Sequence, residues 1–258
     1  MIRIALVATL LVFILVPSAS SQISVNIGPT TAPIGCDIIA SVTNDTPSTF
    51  LIGQIGPVRV LNALGLEIFN FQAFIFAPIP VSPGQAIVHF RWDQTDNNGN
   101  QVAPGIYSYL IDVNGVTTAQ TITIGGVDAA LTTVGVLRPG SVRNLYLCSP
   151  QDPGLIYAYA AALTSNTGIP TCGGVIPLDI DFLFNFSTTP GNGVFLNTVG
   201  LLAGPNDLYP GSTTAPVIAV PNNPALSGFS FEVAFFVVDF SAFCPIARIS
   251  NATTLTIL

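Results

Sequence analysis

His89 is the single histidine of the chain and there is no lysine, so imidazole or amine chemistry has one residue to use or none. A Ser-His-Asp triad would have to recruit His89, yet no G-x-S-x-G elbow supplies a nucleophile. Lying beside Trp92 on an alternating stretch, His89 is expected to be a partly exposed structural residue. One histidine and four scattered cysteines, Cys36, Cys148, Cys172 and Cys244, do not build a tetrahedral zinc site, and no C-x-x-C pair is present. Four cysteines allow three disulfide pairings. The preferred pair is Cys172 with Cys244, leaving Cys36 and Cys148 free or cross-paired. A disulfide outranks a catalytic thiol, because no histidine lies near any cysteine in sequence to act as its base.

Two groups of acids could do other chemistry. Asp93, Asp96, Asn98 and Asn100 fall close together and could offer oxygen ligands to a hard cation. The EF-hand spacing fails, since counting back from Gly99 puts Gln94 at the first ligand position and Gly105 at the bidentate last one. A plain Asx-type turn is the expectation there. Asp179 and Asp181 sit two apart in a segment read as a strand, which would put both on one face about 7 Å apart, as a glycosidase acid and base require. Many non-catalytic pairs share that spacing, and no other acid is near in sequence. No residue is therefore assigned a catalytic, cofactor-binding or metal-binding role. The sequons at Asn44, Asn185 and Asn251 matter only in a eukaryotic secretory pathway and are read as chance in a chain rich in Asn and Thr.

The elements that must position these residues are short strands. From Ile23 to Ile124 apolar runs recur every 8 to 12 residues or so between turn signals. They include Ile38 to Thr43, then Phe50 to Ile55 and Val58 to Leu61 around a Gly-Pro turn, then Ile68 to Phe76. In Gln85 to Trp92, Ile87, His89 and Arg91 alternate against Val88, Phe90 and Trp92. Tyr107 to Val113 and Thr118 to Ile124 close the unit. Gly125 and Gly126 mark a joint, after which strand signals resume at Ala130 to Val136, Val142 to Leu147, Leu155 to Leu163, Leu178 to Phe186, Gly193 to Leu202, Ala215 to Val220, Phe229 to Phe240 and Thr253 to Leu258. The run Phe229 to Phe240 is apolar nearly throughout, as a central strand covered on both sides should be. The expected fold is all-β, with two tandem antiparallel β-sandwich, Ig-like domains over 22–125 and 127–258, each able to fold alone.

Ahead of them, residues 1–21 read as a signal peptide. Arg3 supplies the positive end, Ile4 to Val16 the apolar run, and Pro17 to Ser21 the small residues for cleavage near Gln22. That run is shorter than the roughly 20 residues that span a bilayer. No membrane span is expected in the mature chain, and export through the Sec pathway would permit disulfides. Charged residues make up 7% of the chain, far below the usual roughly 25%, so the soluble surface must come from Thr, Ser, Asn, Gln and backbone. Thirteen acids against six arginines leave no basic patch, which argues against nucleic acid and anionic membranes as partners.

Two stretches carry resemblances. Trp92, Asp96, Gly99, Val102, Pro104, Gly105 and Tyr107 keep the spacing W-x-x-x-D-x-x-G-x-x-V-x-P-G-x-Y. This resembles Ig-like modules of the FlgD type and of the BsuPI-type proteinase-inhibitor group, and it implies a sandwich with Tyr107 at a tyrosine corner. The blocks Leu137 to Gly140, Ser149 to Tyr157, Pro177 to Asp181, Val220 to Gly228 and Ile249 to Asn251 resemble a pattern in exported proteins of planctomycetes and similar bacteria, a family of secreted domains that implies no catalytic residue.

The expectation is thus a secreted or cell-surface, non-enzymatic structural or binding protein of the bacterial envelope or exterior, with a protein or glycan partner and no cofactor. The runner-up is a BsuPI-type proteinase inhibitor acting through a loop of the first unit. A carbohydrate-active enzyme comes third and rests only on Asp179 and Asp181.

Overall fold

A computed structural model describes residues 23–202 and 215–258; the expected signal peptide lies outside the described residues. The first unit contains β1 (Ile23–Gly28), β2 (Thr31–Ala32), β3 (Ile38–Asn44), β4 (Phe50–Asn62), β5 (Glu67–Val81), β6 (Ala86–Trp92), β7 (Gly105–Val113) and β8 (Val116–Ile124). They form one sheet of order β1-β3-β6 and another of order β2-β8-β7-β4-β5. Every pairing is antiparallel except the short β2 beside β8. The chain crosses between the sheets at β1 to β2, β2 to β3, β3 to β4, β5 to β6 and β6 to β7, and apolar side chains from both sheets meet in one core. Ile38 and Val42 from one face join Tyr109 and Ile122 from the other. This is the expected antiparallel sandwich.

The expected Gly-Pro turn is absent. Gly56 and Pro57 lie inside a single strand, β4, where the register to β5 shifts between Ile55 and Val58. Gly56 takes a φ of +92°, and a Cβ there would sit 2.5 Å from the carbonyl oxygen of Phe71. A bulge needs a glycine in this position, and a bulge lets one strand bend where a turn would end it.

The second unit contains β9 (Ala130–Thr133), β10 (Val142–Cys148), β11 (Ile156–Ala162), β12 (Ile169–Thr171), β13 (Gly174–Ile176), the helix α1 (Phe182–Thr188), β14 (Phe195–Leu196), β15 (Val199–Leu201), β16 (Val217–Ala219), β17 (Ser230–Val238), β18 (Ile246–Ile249) and β19 (Thr253–Thr256). One sheet runs β14-β16-β10-β9 and the other β15-β11-β17-β18, with β19 also on β17. Leu145 and Ile218 from the first sheet face Tyr157, Val233 and Phe235 from the second. β17 is the central, two-sided strand its composition implied: on its far face Ala234 packs with Ala160 and Ala162 under Leu178, Ile176 and Phe184.

The strand expected over Leu178 to Phe186 is instead a turn followed by α1. Asp181 is its N-cap, accepting from the amide of Phe184 at 2.9 Å, and Phe182 and Phe186 recur at helical spacing. The hairpin of β12 and β13 and the strand β18 were not foreseen.

No strand pairing crosses residues 125–129 among the described residues, but the core does. Val134, Tyr146 and Cys148 belong to the same buried cluster as Trp92 and Ile38. Cys36 is bonded to Cys148, across 112 residues, and Cys172 to Cys244. The preferred second pair is therefore observed, and the first is the cross-paired alternative, which ties the two units together. Gly135 sits at this seam with a φ of +84°, and a Cβ on it would come within 2.4 Å of the Ala86 side chain. Around it the amide of Gly135 donates to Ser41 Oγ at 2.8 Å and Asn26 donates to the carbonyl of Thr133 at 2.7 Å.

Candidate functional site

His89 lies at a register shift of β6, where Ala40 faces Phe90 but Ser41 faces Val88, so His89 is the extra residue of a bulge. It is 6% exposed, not partly exposed as expected, and neither ring nitrogen has a hydrogen-bond partner. Burial pushes its pKa down, because the imidazolium would lose its hydration. Neither nitrogen is hydrogen-bonded to a group with which it could exchange a proton. Arg91, two residues on, binds Asp37 with its Nε at 2.7 Å and also through Nη2. The Asp37 amide donates to Tyr146 Oη at 3.2 Å, which places that ion pair on the seam between units. Burial raises the pKa of Asp37, and the hydrogen bond and charge of Arg91 oppose that rise.

The loop after Trp92 is held by its own polar groups. Asp96 Oδ1 accepts from the amides of Asn98 at 2.8 Å and Asn100 at 2.9 Å, and these bonds draw its pKa down. Asp93 Oδ1 accepts from the amide of Thr95 at 3.1 Å. Asn97 Oδ1 receives the Asn70 amide at 2.9 Å, docking the loop on β5. These are Asx-turn contacts. Among the described residues no three His, Cys, Asp or Glu side chains converge as metal ligands. Tyr107 Oη donates to the carbonyl of Ala103 at 2.6 Å, and its ring meets Trp92 edge-on at 6.0 Å. That is the hydrogen bond a tyrosine corner makes.

Asp179 and Asp181 do not share a strand face. Asp179 accepts from the Thr164 hydroxyl and from the amides of Asn166, Thr167 and Gly168 at 3.0, 2.7 and 3.1 Å, which together drive its pKa far below the usual carboxylate range. Asp181 caps α1 and accepts the Leu163 amide at 2.6 Å. Asp179 accepts four hydrogen bonds, two on each carboxylate oxygen, and Asp181 one on each, so both carboxylates are engaged in holding local structure.

The helix the sequence reading missed creates the most distinctive surface of the second unit. α1 is tied to β11 through Ser187 and Ala161, and its residues help line an apolar cleft of about 440 Å³. Exposed Phe182, Phe186 and Phe229 and buried Phe195, Ile218 and Phe231 line it. The rings form a continuous series: Phe186 lies edge-on to Phe195 at 6.2 Å, Phe195 to Phe231 at 6.2 Å, and Phe231 stacks with Phe229 at 6.0 Å. None of the lining side chains is polar, so the cleft can hold an apolar group but cannot orient, ionise or attack it. The signal that could have found it was Asp181 followed by aromatics at i and i+4, a helix start rather than a strand.

No family model and no curated protein matches the chain. Among solved structures it is similar to red sea bream transglutaminase, at 12% identity and a TM-score of 0.31, over 93% of this chain and 32% of that one. It is also similar to Salmonella alpha-2-macroglobulin reacted with methylamine, at 8% identity and a TM-score of 0.27, over 92% of this chain and 15% of the other. For the native conformation of E. coli alpha-2-macroglobulin the values are 11% and 0.26, over 94% and 14%. The chain thus spans no more than a third of the length of these structures.

Proposed function

We propose that the chain is an exported, non-enzymatic structural or binding protein acting at or outside a bacterial cell envelope. The observation that carries this is the structural engagement of Asp179 and Asp181: the acid pair on which a hydrolase would rest holds the 164–168 turn and the start of α1 in place. Two disulfides support an oxidising compartment. Among the described residues no helix is long and apolar enough to cross a membrane. The resemblance to secreted bacterial domains supports the same reading. To test it, the purified chain is incubated with a panel of polysaccharides while Asp179→Asn and Asp181→Asn are compared with it by thermal melting. The expected result is no release of reducing ends and a lowered melting temperature in both variants. Release of reducing ends that either variant abolishes at unchanged melting temperature would overturn the proposal.

A second reading, a proteinase inhibitor of the BsuPI type, is favoured by one feature. The β4–β5 turn is stiffened by Asn62, whose Oδ1 accepts from the amides of Leu64 at 2.9 Å and Leu66 at 3.0 Å, and Leu64 stands 83% exposed at its tip. Such a rigid exposed loop is what an inhibitor presents to a protease cleft. Inhibition of serine or cysteine proteinases that Leu64→Asp weakens at least tenfold would establish it; cleavage at Leu64 without inhibition would exclude it.

A further inference from the structure

Two of the six arginines, Arg138 and Arg143, meet in one cleft on the seam between the units. It has a volume of about 670 Å³, in the range of small-molecule sites, and lies between the β5–β6 turn and the loop that leads into β10. No acid lines it. Arg143 is 6% exposed, and its Nε, Nη1 and Nη2 donate to the carbonyls of Val136, Val142 and Gly84 at 2.9, 3.0 and 2.9 Å. Those bonds use three of the five N–H groups of a guanidinium and bring no negative charge to it. Among the described residues no carboxylate is ion-paired with Arg143. A buried charge in that condition is costly, which is why buried charges are normally paired.

The neighbours add positive charge and donors. Burial, and after it the like charge of Arg138, draw the Arg143 pKa down against the pull of Asp45. Arg138 Nε lies 2.9 Å from Asp45 Oδ1 but out of line for a hydrogen bond, and its Nη2 donates to Ser24 Oγ at 3.2 Å. Two guanidiniums therefore share one carboxylate, which leaves one positive charge uncompensated. Ser141 Oγ accepts from the Arg138 amide at 2.9 Å and keeps its own proton to donate. Gln85 Oε1 accepts from the Ser82 amide at 2.8 Å, which leaves its NH2 group as a further donor on the rim. The magnitude of the missing charge selects the ligand. A carboxylate carries one negative charge and closes the balance, whereas a phosphate group carries about −1.5 to −2 at pH 7 and would leave the cleft negative. Guanidinium forks also match the planar geometry of a carboxylate.

We propose that the cleft between the β5–β6 turn and the 138–143 loop is a binding site for a small carboxylate. Arg143 and Arg138 hold its charge, and Ser141, Ser82 and Gln85 donate to the groups around it. The site uses both units, since Gly84 of the first accepts from Arg143 of the second. The proposal rests on the reading of the chain as a non-enzymatic binding protein and names the chemistry of the ligand.

The test is isothermal titration calorimetry on the oxidised full chain at low ionic strength, where charge pairing is least screened. The probes are glucuronate and N-acetylalanine, with glucose as the uncharged counterpart of glucuronate and inorganic phosphate as the more highly charged anion. At least one carboxylate should bind one to one, and the tighter of the two identifies a sugar acid or a peptide carboxylate as the source; glucose should not bind. Ser82 is exposed and bonds through its backbone, so Ser82→Asp and Ser82→Asn should both fold as wild type does. Ser82→Asp places a tethered carboxylate at the cleft and should weaken binding about tenfold or more, whereas Ser82→Asn should bind as wild type does. If Ser82→Asp does not fold, Arg138→Gln replaces it with the same expected loss. No binding of either carboxylate up to about 100 mM would overturn the proposal, as would glucose binding as tightly as glucuronate. Phosphate binding tighter than both carboxylates, or equal binding by Ser82→Asp and Ser82→Asn, would also overturn it. Release of reducing ends from a polysaccharide would remove the non-enzymatic reading and leave these titrations as they are, so the two failures are separable.

Discussion

At the scale of single residues, the polar candidates divide by what satisfies them. His89 is buried with no partner, and burial alone depresses its pKa. A depressed histidine pKa means that the unfolded chain binds a proton more readily than the folded one. The contribution of His89 is therefore fully present above the unfolded value of about 6.5 and is lost as pH falls through it. As the only histidine, it is the only side chain with an ordinary pKa in that window. Melting temperature should fall between neutral pH and pH ~5, and His89→Leu should flatten that limb; an unchanged slope in the variant would assign the effect elsewhere. Trp92 is fully buried against Tyr107, Tyr109 and Phe69, and its indole N–H donates to the carbonyl of Thr95 at 2.8 Å. Trp92→Ala should cost about 3 to 5 kcal/mol. Asp93→Ala should cost about 1 kcal/mol, the scale of one turn hydrogen bond. Urea titrations of the two variants give that ranking directly, and a calcium-dependent stability abolished by Asp93→Ala would reverse it.

At the scale of elements, α1 is short and depends on its cap and its packing more than on its own ladder. Asp181→Ala removes the Phe184 and Leu163 amide contacts together and should cost about 1 to 2 kcal/mol, loosening the part of the cleft that Phe182 and Phe186 line. Proteolysis near residue 185 reads this out, and protection equal to wild type would show that packing alone holds the helix. Asp179 organises the preceding turn, and its folded pKa is depressed by the Thr164 hydroxyl and the turn amides. Its contribution is present above the unfolded carboxyl value of about 3.9 and lost as pH falls below it. Asp179→Asn should therefore lower stability at neutral pH and weaken the acid limb, measured as melting temperature against pH. The strand alternation from Ile87 to Trp92 was readable, yet the bulge at His89 was not, because register is decided by the partner strand β3. Likewise Leu178 to Phe186 contains the aromatics of a strand, and only the Asp181 cap and the packing of Leu183 on β11 and β17 select a helix.

At the scale of the molecule, the two units expected over 22–125 and 127–258 remain a proposal with a definite test. Each has its own sheets, but the first borrows Val134, Tyr146 and Cys148 for its core, and Cys36–Cys148 closes a separation of 112 residues. In the chain-entropy account a loop of that length contributes roughly 4 to 5 kcal/mol. Cys36→Ser/Cys148→Ser should lower the melting temperature on the order of 10 °C. Residues 22–125 and 127–258 made separately should both show β-type circular dichroism, the first melting below the whole chain; two unfolded halves would mean one intertwined domain. Sequence by itself determined the β class, the central two-sided β17, the Asx loop after Trp92 and the tyrosine corner, because each is written in period, turn residues or a local hydrogen bond. Only the tertiary structure decided that Cys36 meets Cys148, that His89 is buried and that α1 helps line an apolar cleft. These depend on which surfaces distant segments bring together, and long-range packing leaves no period in the chain that carries it.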